Sequence, residues 1–160
     1  MIGFWISSLS LFACSFLVGN GFSPVFAVMG ETRRSRMPWA GLAAFFATKL
    51  AWDAGTGVLG FTWVQYPVWA VTYLAARKGG IVAATVFYVL SNSLCFWQMM
   101  GSPYPPTLAG YWACMAAGLP YYLRSLLATL LFGALLWWLR ESLPMRWRRQ
   151  VCLAEQGGLV

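Results

Sequence analysis

The sequence predicts an all-α integral membrane protein: a compact bundle of six helices, the second of them short, plus one short helix on the outer interface. Three observations lead there. The 160-residue chain is 60% hydrophobic and only 9% charged, which is too apolar for a soluble domain. Several runs approach the ~20 residues that carry a helix across a bilayer. The positive residues fall mainly in three clusters at the ends of apolar runs: Arg33, Arg34 and Arg36; Arg77 and Lys78; and Arg140, Arg146, Arg148 and Arg149. That is the positive-inside pattern, and it puts these clusters on the cytoplasmic side. The same distribution argues against a nucleic-acid partner, despite a net charge of +7.

Each element follows from local signals. Residues 2–19 are apolar, with no basic leader and no small-residue cleavage site, so they are expected to be a retained helix. Asn20 and Gly21 end it. Ser23 then caps a short helix that opens on Pro24 and runs toward the first arginine cluster. Its ~12 residues rise about 18 Å, short for a full span, so it is either a half-span or is extended by snorkelling arginines. The third helix is expected over 38–58, with Ala43, Ala47, Ala51 and Gly55 forming a small-residue stripe that lets helices approach closely. Further helices are expected over 63–76 and 80–98, joined by the turn "RKGG". The Pro-rich loop "MMGSPYPP" at 99–106 precedes a short interfacial helix over 107–118, striped by Ala109, Ala113 and Ala117. Pro120 opens the last helix, 120–140. Residues 1–140 thus form the transmembrane domain, and 141–160 form a basic cytoplasmic tail.

The charge map sets the topology. Residues 31–36, 77–79 and 140–160 are inside; 59–62 and 99–119 are uncharged and outside. If the short second element crosses, there are six spans and the N-terminus is inside. If it only dips, there are five and the N-terminus is outside. The first helix has no charged flank to decide; six is the preferred count.

Within this frame the deep polar residues share one level. Lys49 and Asp53 lie past the midpoint of a helix running outward, and Asn92 lies two-thirds along another. Gln65 and Arg124 fall in the first turns of helices that start outside, and Asn20 sits at the outer junction of the first two elements. Each charge in hydrocarbon costs about 2.5–3.5 kcal/mol on insertion scales, so convergence at one depth suggests an outward-facing polar site. Two cations meet one anion there, leaving a positive charge for an anionic or zwitterionic solute. The bland reading is a structural network: Lys49 and Asp53 neutralising each other at i,i+4, Asn92 as interhelical glue, Arg124 snorkelling. Trp63, Tyr66, Tyr104, Tyr111 and Trp112 on the outer side fit either an interfacial belt or a cavity wall.

An enzyme is not expected. There is no His, no phosphate-binding loop, and no second carboxylate near Asp53 to share acid–base work. Cys14, Cys95, Cys114 and Cys152 lack metal-ligand spacing, so neither a metal nor a cofactor is expected.

The stretch "YPPTLAGYWACMAAGLPYYLRSLLATLLFGALLW" resembles a family of small bacterial membrane proteins of unknown function. Its members are similar to the substrate-binding (S) subunits of energy-coupling-factor vitamin transporters. Tyr104, Pro105, Thr107 and Gly110 match a Tyr-Pro-x-Thr-hydrophobic-x-Gly segment of that family. Pro120 and Arg124 match its Pro-Phe-Phe and Arg-Asn-Thr-Leu elements. Asn20, Phe22, Ser23, Pro24 and Val25 match Asn-Phe-Ser-Pro-Val with Gly21 inserted, and Asp53 and Asn92 match singly. Ala128 and Thr129 stand where the family has Gly-Asp, and the first helix lacks a clear Ala-xxx-Ala. The resemblance implies six helices and a small-molecule site in the outer half, under the 99–106 loop.

Two functions are therefore expected. The first is a solute-binding membrane subunit that uses Asn20, Lys49, Asp53, Gln65, Asn92, Tyr104 and Arg124 and needs partner energising subunits for uptake. The second is a structural or accessory subunit of a larger membrane complex. The topology is testable: Cys introduced at Ser102 should react with an impermeant thiol reagent from outside intact cells, above the native-cysteine background. Labelling only after permeabilisation would invert the orientation.

Overall fold

A computed structural model describes residues 24–34, 38–55, 57 and 63–142. Among these residues the chain is helical, with no strand. The helices are α1 (Val25–Arg34), α2 (Pro38–Gly55), α3 (Tyr66–Ala75), α4 (Gly80–Gln98) and α5 (Leu108–Ser142). Short 3-10 turns flank α3 at Trp63–Gln65 and Ala76–Lys78. The helix expected over 2–19, the residue Asn20 and the tail beyond Ser142 lie outside the described residues.

The short helix α1 lies at the centre. Val25, Phe26, Ala27, Val28 and Met29 are all buried, and every other described helix packs on it. Its backbone comes close to the start of α4. A side-chain carbon at Gly80 would meet the Phe26 carbonyl oxygen at 2.7 Å and Thr129 Cγ2 at 2.9 Å. Before it, Gly79 ends the "RKGG" turn at φ +122°, a conformation open mainly to glycine. Around α1 the rings of Phe26, Phe45, Trp69 and Phe87 form the core, with Trp69 and Phe87 centred 4.2 Å apart.

Two segments, Gly80–Gln98 and Leu108–Leu139, are long and apolar enough to cross a membrane. Only 17% and 11% of their apolar windows are buried, unlike the core helix of a soluble protein. The helix expected over 80–98 is found at those bounds. The last two expected elements are corrected: the short interfacial helix over 107–118 and the helix opening at Pro120 are one continuous helix, α5, with Pro120 inside it. An interior proline leaves the carbonyl four residues earlier without its amide partner, a loss that membrane helices tolerate. At 35 residues the helix is about 52 Å long, longer than the ~30 Å hydrocarbon core.

The small-residue stripes also differ from expectation. Ala43, Ala47, Ala51 and Gly55 on α2, and Ala109, Ala113 and Ala117 on α5, are exposed. Close packing among the described residues falls on Gly30, Gly80, Gly110 and Gly118.

Gly80→Ala should lower stability by about 1–3 kcal/mol, as overpacking in a tight contact does. Thermal unfolding in detergent measures this, with Gly133→Ala as the control, since nothing lies within 4 Å of a side-chain carbon there.

Candidate functional site

Lys49 and Asp53 stand one turn apart near the C-terminal end of α2, on one face, as i,i+4 spacing requires. The Lys49 ammonium donates to both Asp53 carboxylate oxygens, at 2.6 Å (Oδ1) and 2.5 Å (Oδ2). Lys49 is 9% exposed and Asp53 1%. In so poor a dielectric the attraction is far stronger than at a surface, and each charge depends on the other.

A third side chain joins the pair. Tyr66, in the first turn of α3, donates its hydroxyl to Asp53 Oδ2 at 3.1 Å. The Lys49 ammonium lies 5.8 Å from the Tyr66 ring centre, within cation–π range. Phe46, also on α2, stacks on Tyr66, the two rings centred 5.7 Å apart. The end of α2 and the start of α3 therefore lie side by side. One turn below, Phe45 meets Trp69 at 5.2 Å. The indole Nε1 of Trp69 is buried and makes no hydrogen bond among the described residues.

Sequence reasoning placed Tyr66 among the outer aromatics without assigning it to the site. The available signal was its position: first turn of a helix expected to start outside, at the expected depth of Asp53.

The other expected site residues are placed differently. Gln65, half-buried, precedes Tyr66 in the chain and is the N-cap of α3 without a side-chain cap bond. Asn92 belongs to another interface. Its side-chain amide donates to the Tyr88 carbonyl at 2.8 Å, its backbone carbonyl accepts from the Cys114 thiol at 3.5 Å, and it fills the space that a side chain at Gly118 would take. Tyr104 is half-buried in the loop between α4 and α5, where its carbonyl accepts from the Gly101 amide at 2.7 Å.

Arg124 requires a correction of depth. It was expected in the first turns of a helix, but because α5 begins at Leu108 it lies in the fifth turn. Nearby, Tyr122 and Thr85 share a hydrogen bond of 2.9 Å, and Thr85 is in the second turn of α4, two turns from Asn92. Arg124 is exposed and makes no hydrogen bond or ion pair among the described residues. Lys49, Asp53 and Tyr66 are held together by hydrogen bonds; no hydrogen bond or ion pair among the described residues ties Asn92, Tyr104 or Arg124 to them.

Elsewhere, an open groove of about 240 Å³ lies between α1, α4 and α5. It is lined by Ala27, Gly30, Gly80, Thr129 and Gly133, with Glu31 on its wall, and it touches none of the expected site residues.

The model of a family described as "Family of unknown function (DUF6580)" matches residues 5–150. No curated protein and no solved structure matches the chain.

Removing Lys49 or Asp53 alone strands a buried charge and should cost about 3–5 kcal/mol. Removing both should cost much less, giving a large coupling energy in a double-mutant cycle. Denaturation of the four proteins in detergent reads this out; a double mutant as unstable as the sum of the singles would show that the two do not act as a pair.

Proposed function

The chain belongs to this family of unknown function, and we propose that it is a multi-pass protein of the bacterial cytoplasmic membrane that binds a small anionic or zwitterionic solute. In this reading there are six spans, counting the segment 2–19, and the three basic clusters, including the C-terminal tail, face the cytoplasm. The observation that carries the reading is the Lys49–Asp53–Tyr66 cluster: two ionisable groups and a phenol, from two helices, held together between apolar elements. Ionisable groups inside membrane segments mark solute or proton pathways more often than they serve stability.

The parts would divide as follows. The Lys49 ammonium attracts an acidic group of the solute, and Asp53 orients the ammonium or accepts from a basic group. Tyr66 and Phe46 supply an aromatic wall, the indole of Trp69 a spare donor below it. Gln65 stands beside the cluster, and Asn20 and Tyr104 would close it from the outer side. The resemblance to S subunits of energy-coupling-factor transporters supports uptake of a vitamin-like solute with partner energising subunits.

A second reading, a structural or accessory subunit of a larger membrane complex, is favoured by one specific observation. Lys49 and Asp53 satisfy each other, and Asn92 is engaged in joining α4 to α5.

Native mass spectrometry of the full chain, purified in mild detergent, separates the two. The first reading expects a retained small polar solute whose occupancy falls at least ~10-fold, about 1.4 kcal/mol, in Asp53→Asn. A chain that carries no solute and co-purifies in a stable larger assembly would establish the second.

A further inference from the structure

The outward face of α5 carries two features that lie outside the Lys49–Asp53–Tyr66 cluster. Ala109, Ala113 and Ala117 follow one another at four-residue spacing and are exposed. Arg124 lies eleven residues after Ala113, three turns on and so on the same face. It is exposed and makes no hydrogen bond or ion pair among the described residues, and it is the sole charged residue in the apolar segment Leu108–Leu139. Leu127 and Leu131 continue the face, both more than half exposed.

The depth of Arg124 follows from the tryptophans. On α5 the exposed tryptophans are Trp112 near one end and Trp137 and Trp138 near the other. Trp112 and Trp137 are separated by about 38 Å of helix, between the ~30 Å of the hydrocarbon core and the ~40–45 Å of a bilayer with its headgroup regions included. Tryptophans at that spacing mark the two interfaces. Arg124 is twelve residues from Trp112 and thirteen from Trp137, about 18 and 20 Å along the axis. It stands near the midplane, beyond snorkelling reach of either phosphate layer.

We propose that this face of α5 docks a transmembrane helix of a different membrane protein, and that the docked helix carries an aspartate or glutamate near its middle to pair with Arg124. Charge complementarity selects the occupant. A lone guanidinium in hydrocarbon requires an anion, and an Arg–carboxylate contact is bidentate and directional. The alanine stripe gives lipid tails no advantage but lets a second helix backbone come close. A second copy of this chain does not fit. Of its four acidic residues, Asp53 is buried in its ion pair, Glu31 lies beside the groove at the Gly80 end of α4, Glu141 is at the end of α5, and Glu155 lies beyond the last apolar run.

The test uses the full chain in its native membrane, with a photo-crosslinking residue in place of Leu127. The expected result is an adduct with one other membrane protein whose crosslinked span contains Asp or Glu. Arg124→Leu should lower that adduct at least ~10-fold, in line with the ~1–2 kcal/mol of a polar interhelical contact, while Arg124→Lys, which keeps the charge but loses the bidentate geometry, should give more adduct than Arg124→Leu and less than Arg124. Exchanging the two charges, Arg124→Asp with Arg in place of the partner's acid, should restore it. Adducts with lipid alone or with a second copy alone would overturn the proposal. So would a partner span without an acid, or an adduct that Arg124→Leu leaves unchanged.

Discussion

The contact between the backbone of α1 and Gly80 organises the described helices. α1 has only ten residues, too few to be stable alone in water or to cover a bilayer. It is held because α4 presents a glycine where the Phe26 carbonyl passes, so two helix backbones meet with no side chain between them. That approach puts the Phe26 ring against Trp69 and Phe87, and Trp69 in turn meets Phe45 on α2. The aromatic core is thus built on one missing methyl group. In lipid this matters more than in water: apolar burial drives helix association only weakly there, and close packing has to supply the affinity.

What the sequence made legible depended on how local each signal was. The bounds of α4 could be read because glycines precede it and an uncharged Gly- and Pro-containing loop follows it. Lys49 and Asp53 could be read as a pair because helical spacing alone brings them together. Pro120 misled because the same residue that favours a helix start is also tolerated inside a membrane helix, and a local pattern does not distinguish the two. That one error moved Arg124 by several turns and made it seem level with Asn92. The partner of Asp53, Tyr66, was legible in depth but not in contact, since which faces of two helices meet is decided by packing across the bundle. The glycines that do the packing were hidden for the same reason: exposed alanine stripes look like interfaces in sequence, while Gly80 and Gly118 stand alone.

The two cations set within apolar stretches, Lys49 and Arg124, meet different fates, and the difference is informative. A cation in hydrocarbon costs several kcal/mol unless it is paired. Lys49 is paired within its own helix, supported by a phenol from the next one, and almost withdrawn from the surface. Arg124, with a less easily neutralised group, points out of the bundle among leucines. If both were merely structural, the chain would carry a cost at Arg124 that an apolar residue would avoid. The apolar rest of the segment Leu108–Leu139 shows that this stretch has no general need for charge.

Pairing also determines what the buried cluster can do. A Lys–Asp pair that is wholly satisfied is a poor recruiter of solute, because a ligand must compete with a contact strengthened by the same low dielectric that makes the charges costly. Such a pair becomes a binding group only when a third partner shares the load and the ligand replaces one bond without stranding the other charge. Tyr66 is placed for that: its hydroxyl already holds Asp53, so Asp53 would keep a donor when the Lys49 ammonium turns toward an incoming anion. The Tyr66 ring near the ammonium gives Lys49 a second favourable contact during the same movement. The phenol at the start of α3, more than the ion pair itself, distinguishes a cluster that can exchange partners from one that only holds two helix turns together.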